Sequence, residues 1–180
     1  ADDYEIVIAD GNYCSDAATF TVTEPNELTI AVTDKQNVTC NGDNDGSITV
    51  EVSGRPGGTN FTYTWQEPDG AGGWNPIPSA PDSRTYNGIS AGNYQVIATT
   101  DDGCSVTSDV IMLTEPAVIT LTDKEVIHVT TCHGDNTGSV RLSVTGGTAP
   151  YIIKYGTVEE SWDGTGDYTA TGLIAGDYDF

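Results

Sequence analysis

Two loops hold the residue types from which a metal site or a catalytic corner could be built. "CNGDNDGS" spans Cys40–Ser47 and "CHGDNTGS" spans Cys132–Ser139. Asp43, Asn44 and Asp45 in the first loop, with Asp135 and Asn136 in the second, are the candidate metal ligands. Their hard oxygen donors would suit calcium. The EF-hand pattern, however, needs a bidentate acid at its twelfth position, and counting from Asp43 that position is Gly54. Thr137 also stands where the first loop has Asp45, so a shared site would lose a charged ligand. The competing reading is structural: Gly42 and Gly46 permit tight turning while Asn and Asp side chains cap their own backbone.

Other chemistry finds less support. His128 and His133 are the two histidines, and the pair Cys132-His133 becomes Cys40-Asn41 in the first loop. Acid pairs such as Asp101-Asp102 and Glu159-Glu160 fall in polar turns, without the burial that shifts a pKa toward acid–base work. No catalytic residue is expected, and the chain is read as a non-enzyme. Trp74 and Trp162 are the candidate ligand-stacking residues: aromatic rings on loops of a rigid scaffold are a common means of holding sugars. Pro76, Ile77 and Pro78 beside Trp74 could instead fold its loop back as a hydrophobic flap.

The elements that must carry these loops recur along the chain. "DYEIVIADGNYCSDAATFTVTEP" returns as "NYQVIATTDDGCSVTSDVIMLTEP", aligning Tyr4 with Tyr94, Cys14 with Cys104 and Glu24-Pro25 with Glu115-Pro116. "AGDY" at Ala175–Tyr178 opens the same pattern again. The recurrences lie 90 (Cys14 to Cys104), 92 (Cys40 to Cys132) and 84 (Tyr94 to Tyr178) positions apart. The expected division is residues 1–25 as the C-terminal part of one repeat, 26–116 as a complete repeat and 117–180 as the N-terminal part of another. Beginning mid-pattern at Ala1, the chain is expected to be a piece of something longer.

Within a repeat, "SITVEV" and "SVRLSV" alternate apolar with polar residues, and no segment shows the helical period. Strands are expected over Leu28–Thr33, Ser47–Ser53, Phe61–Trp65, Thr85–Ile89, Asn93–Thr100 and Ser105–Leu113, with a turn at "GRPGGTN". Phe61, Tyr63, Trp65, Ile89, Tyr94 and Val96 are the expected core. The fold class is all-β: tandem Ig-like antiparallel β-sandwich repeats arranged end to end.

The ordered set of "VTCNGDNDGSITVEVSG", "FTYTW" and "GISAGNYQVIATTDDGCSVTSDVIMLTEP" resembles the SprB-type repeat of large surface adhesins in gliding Bacteroidetes. The resemblance implies a β-sandwich segment of a cell-surface filament, exported through the type IX pathway and supporting adhesion and gliding, with neighbouring repeats of the same chain as partners. Tyr155 stands in "PYIIKYG" where the complete repeat has Trp65, and "QEPDGAGGWNPIPSAPDS" is extra to that repeat. A carbohydrate-binding β-sandwich module of a secreted protein is the alternative reading, with polysaccharide as the partner.

Composition agrees with an extracellular setting. The chain has 27 acids against 6 bases, a net charge of −21, which disfavours nucleic acid and anionic membrane. No apolar run reaches the roughly 18 residues of a membrane span, so direct membrane insertion is not expected. Four cysteines in such a chain suggest an oxidising compartment. Cys40–Cys104 is the expected disulfide, with Cys14 and Cys132 paired outside the chain. Cys14–Cys40 with Cys104–Cys132, stapling neighbours across the Glu-Pro junctions, is the other arrangement.

Overall fold

Alternating side chains can bury one face of a strand and wet the other. The structure, a computed structural model, describes residues 2–54 and 60–178 and contains strands and no helix among them. In chain order the strands are β1 (Asp2–Ala9), β2 (Ser15–Val22), β3 (Thr29–Gln36), β4 (Gly46–Ser53), β5 (Phe61–Pro68), β6 (Trp74–Pro76), β7 (Thr85–Ile89) and β8 (Gly92–Thr100). They continue as β9 (Ser105–Thr107), β10 (Ile111–Leu113), β11 (Thr120–Ile127), β12 (Gly138–Thr145), β13 (Tyr151–Tyr155), β14 (Val158–Trp162) and β15 (Tyr168–Leu173).

Pairing is antiparallel and repeats itself. β3-β4-β7 form one three-stranded sheet and β11-β12-β15 another; β5 pairs β6 as β13 pairs β14. The sheet built on β5 continues through β8 to β10, with β9 also on β8, and β1 pairs β2 in a hairpin. Packing groups the residues into two compact units, Ala1–Asp34 with Ile48–Tyr86 and Asn93–Ile111, and Lys35–Ser47 with Asn87–Gly92 and Met112–Phe180.

In the first unit Val50, Trp65, Val96 and Ala98 are buried. The Trp65 indole donates to the Ser83 carbonyl at 2.9 Å, and the Tyr86 ring lies 5.5 Å from Trp65 and 6.2 Å from Tyr94. In the second unit Val140 and Leu142 of β12, Tyr155 of β13, Trp162 of β14, and Tyr168, Ala170 and Leu173 of β15 form one core, joining both sheets as the two layers of a sandwich.

The expected strands are present, with shifted ends and two differences. Ser105–Leu113 is two strands, because Ser108 interrupts it: its amide donates to the Val96 carbonyl at 2.9 Å, and its buried hydroxyl accepts from the Val96 amide at 3.1 Å. A side chain there replaces part of the ladder. The Pro/Gly-rich insertion contains β6, whose register places Trp74 opposite Pro68 and Pro76 opposite Gln66 on an edge that tolerates proline. Of the expected core, Trp65, Ile89, Tyr94 and Val96 are buried, while Phe61 and Tyr63 are only half-buried. The turn expected at "GRPGGTN" lies, over residues 55–59, outside the described residues.

Candidate functional site: the paired loops and the Glu-Pro junction

The first loop begins as the chain leaves β3 and ends at Gly46, the first residue of β4. A Cβ on Gly46 would lie 2.8 Å from the Ile89 carbonyl oxygen, and one on Gly138 would lie 2.8 Å from that of Leu173. The glycine of each "GS" therefore lets a neighbouring strand approach. The glycine closing each strand is tighter still: a Cβ on Gly54 or Gly146 would stand 1.9 Å from the carbonyl oxygen of Glu27 or Val118.

Inside the loops the acidic residues bond their own chain. Asp45 accepts from the Thr39 amide at 3.0 Å and from the Thr39 hydroxyl. Those two bonds, the hydroxyl's first, hold its carboxyl below the usual carboxylate range. In the second loop Thr137 replaces Asp45 and the bridge survives as a hydroxyl pair, Thr131 to Thr137 at 3.1 Å. The turn itself is the same twice: the Asp43 amide donates to the Cys40 carbonyl at 3.2 Å and the Asp135 amide to that of Cys132 at 3.1 Å. Asp135 also accepts from the Cys132 amide at 2.9 Å, and its carboxyl is lowered by the Thr131 hydroxyl and then by that amide. Asp45 and Asp135 thus act as backbone caps, the structural reading of these loops. Among the described residues no group of three or more His, Cys, Asp or Glu side chains is placed to hold a metal.

What the first loop does grip is the junction. Glu115 accepts from the Asn41 side-chain amide at 3.0 Å and from the Gly42 backbone amide at 2.7 Å, and Asn41 donates a second bond to the Pro116 carbonyl at 3.0 Å. The Val38 amide donates to the Thr114 carbonyl at 3.0 Å, and the Thr114 amide to the Asn37 side chain at 3.2 Å. Five hydrogen bonds between residues 37–42 and 114–116 therefore fix the segment leading into the next strands. Sequence reading assigned Asn41 and Glu115 no role. The available signal was the joint recurrence of the Cys-x-Gly-Asp loop with Glu-Pro.

Residues 32–70 and 130–153 match the SprB repeat. These two stretches are similar to the SprB repeat. Each matched segment includes one of the two loops and the strand that follows it. No curated protein matches the chain.

The remaining candidate residues are dispersed. All four cysteines are exposed and free. The expected Cys40–Cys104 disulfide is not formed, and each thiol has its own neighbours: Cys104 lines a cleft with Pro25, Glu27 and Leu28, whereas Cys40 lines one with Pro116, Val118 and Ile119. Trp162 is not on a loop. It is a buried residue of β14, 5.3 Å from the Tyr151 ring and 6.1 Å from that of Tyr168, so it serves the core and offers no stacking face. Trp74 is half-buried on edge strand β6. Glu160 is not simply solvated either: it accepts from Tyr168 at 2.8 Å and Tyr155 at 3.3 Å. Burial first, then Tyr155 and Glu160, pushes the Tyr168 hydroxyl far above the ordinary tyrosine range.

Proposed function

We propose that this chain is a load-bearing spacer of an extracellular adhesin filament, supporting surface adhesion and gliding, and that it has no turnover of its own. The observation that carries the reading is the bonding of Glu115 and Pro116 by Asn41 and Gly42. A repeat that holds its own outgoing segment resists bending where the chain would otherwise be a free linker. Proline adds to this by fixing φ and restricting the preceding residue. The SprB match supports a surface-adhesin setting, and export through the type IX pathway belongs to the same reading. A net charge of −21 opposes collapse and clumping of parallel filaments at low salt. Calcium is not required by this mechanism. Neighbouring repeats are the partners it needs.

Small-angle scattering tests the reading. A stiff, elongated profile is expected, becoming hinged when a long Gly/Ser segment is inserted at Pro116. A wild-type profile that broadens like a flexible chain sinks the spacer. Trp74, half-exposed on an edge strand, is the one residue favouring a carbohydrate-binding module. Saturable polysaccharide binding lost in Trp74→Ala would establish that second reading.

A further inference from the structure

An asparagine followed by glycine is the pair in which a backbone nitrogen most readily attacks the side chain before it, because no Cβ hinders the approach. The chain holds two such pairs, Asn41-Gly42 and Asn87-Gly88. The first is the pair that grips the junction. It lies in the loop between β3 and β4, both residues are exposed to water, and a Cβ built on Gly42 would meet nothing within 4 Å. Asn87-Gly88 differs. It belongs to strand β7, paired with β4, where the ladder holds the backbone away from the bend that closing a five-membered ring needs.

The hydrogen bonds that make the grip also hold the reacting atoms. Asn41 Nδ2, the group that would leave, donates to Glu115 Oε1 at 3.0 Å and to the Pro116 carbonyl at 3.0 Å. The Gly42 nitrogen, the group that would attack, donates to Glu115 Oε2 at 2.7 Å. Attack requires Gly42 to give up its proton and the Asn41 carboxamide to turn its carbon toward that nitrogen. Both movements break bonds to Glu115. The second loop repeats the turn, with the Asp135 amide on the Cys132 carbonyl as the Asp43 amide is on that of Cys40, but it carries His133 in place of Asn41 and so lacks this chemistry.

We propose that Asn41 is a deamidation site guarded by Glu115, and that its conversion releases the junction for good. The Gly42 nitrogen, its proton lost to base, bonds to Asn41 Cγ; the Cγ–Nδ2 bond breaks and ammonia leaves, forming a succinimide. Water then opens the ring at either carbonyl, giving aspartate at position 41 or isoaspartate, in which the main chain runs through the former side chain. Water enters and ammonia departs, and nothing is oxidised or reduced. The product cannot hold the junction. A carboxylate has no proton to donate, so two of the five bonds between residues 37–42 and 114–116 are lost, and a new negative charge faces Glu115. In the isoaspartate form the extra backbone carbon displaces the Gly42 amide too. The inference rests on the reading of Asn41 and Glu115 as the clamp of the junction, and its readouts are chemical and local, separate from filament stiffness.

The test is to age the intact 180-residue chain in warm, mildly alkaline buffer and follow each asparagine by peptide mapping and mass spectrometry. Asn41 should convert slowly in the wild type and several-fold faster in Glu115→Ala, where the guard is gone. In Gly42→Ala, which keeps both donors but puts a methyl in the way of ring closure, conversion should be strongly suppressed, and Asn87 should stay intact over the same period. Converted chain, separated by ion exchange, should exchange the Val38 and Thr114 amide hydrogens several-fold faster than unconverted chain, because those two bonds flank the clamp. Asn41→Asp should do the same without ageing. An Asn41 that survives in Glu115→Ala, a rate equal to that of the wild type, a slower rate, which would make Glu115 the promoting base, or exchange unchanged by conversion overturns the proposal. A flexible scattering profile of fresh protein counts against the spacer alone, and equal conversion rates count against the guard alone.

Discussion

Glu115 is an exposed carboxylate with two amide donors, one from a side chain and one from the backbone. Bonds to a charged group are stronger than neutral ones, but solvent competes for them at the surface. Removing either partner should cost about 1 kcal/mol, and the double variant Asn41→Ala/Glu115→Ala should show a coupling of about 0.5–1 kcal/mol by urea unfolding. Strict additivity would mean that the two residues do not act together. The glycines divide sharply at the same scale. Gly42, at φ 81° with open space around it, should accept Ala for about 1 kcal/mol. Gly54→Ala must drive a methyl into the Glu27 carbonyl and should cost at least about 3 kcal/mol, with Gly146→Ala behaving alike. Equal losses at Gly42 and Gly54 would contradict this account. For Asp45 and Asp135 the sign is fixed by their depressed carboxyls: the stabilisation is present above the unfolded value of 3.8 and is lost as pH falls through the folded value. Asp45→Asn should therefore flatten the acid limb of a stability-versus-pH curve, and an unchanged limb would show that the Thr39 bonds do not matter.

At the scale of elements, β13–β14 and β5–β6 solve one packing problem in two ways. The β5 position buries an indole at Trp65 and leaves Trp74 half-exposed on β6. β13 has the smaller Tyr155 there, and the indole comes instead from Trp162 on β14, packed against Tyr151 and Tyr168. Trp162→Ala should cost about 3–5 kcal/mol, as buried aromatics do. Trp74→Ala, at a half-exposed edge, should cost much less, and a differential melting experiment on the two variants separates them. A Trp162→Ala protein as stable as the parent would place that ring outside the core.

Over the whole molecule, stability comes from strand pairing and two-layer packing without a covalent staple among the described residues. With four exposed thiols and no disulfide, a dilute sample should titrate four thiols per chain and melt at the same temperature with and without reductant. A drop of several degrees on reduction would reveal a cross-link within the chain, since closing a long loop is worth about 4 kcal/mol.

Residue order alone determined the all-β class, the repeat and most strands, because alternation and turn residues act locally and survive without knowledge of partners. It also identified Trp65, Ile89, Tyr94 and Val96 as core; Trp65, Tyr94 and Val96 each lie on an alternating face. Tertiary structure decided what depends on residues far apart in the chain. Trp162 resembles a loop aromatic until β14 pairs with β13 and turns its ring inward. Cys40 and Cys104 are the expected partners on paper, but each acquires different neighbours once the strands are laid down. The acidic loop suits either a cation or capping of its own backbone by sequence, and the fold places Asp45 on Thr39 while Asn41 and Gly42 reach Glu115, 74 and 73 positions away. Periodicity reports which face of a strand is apolar; it carries no information about which distant donor a carboxylate will meet.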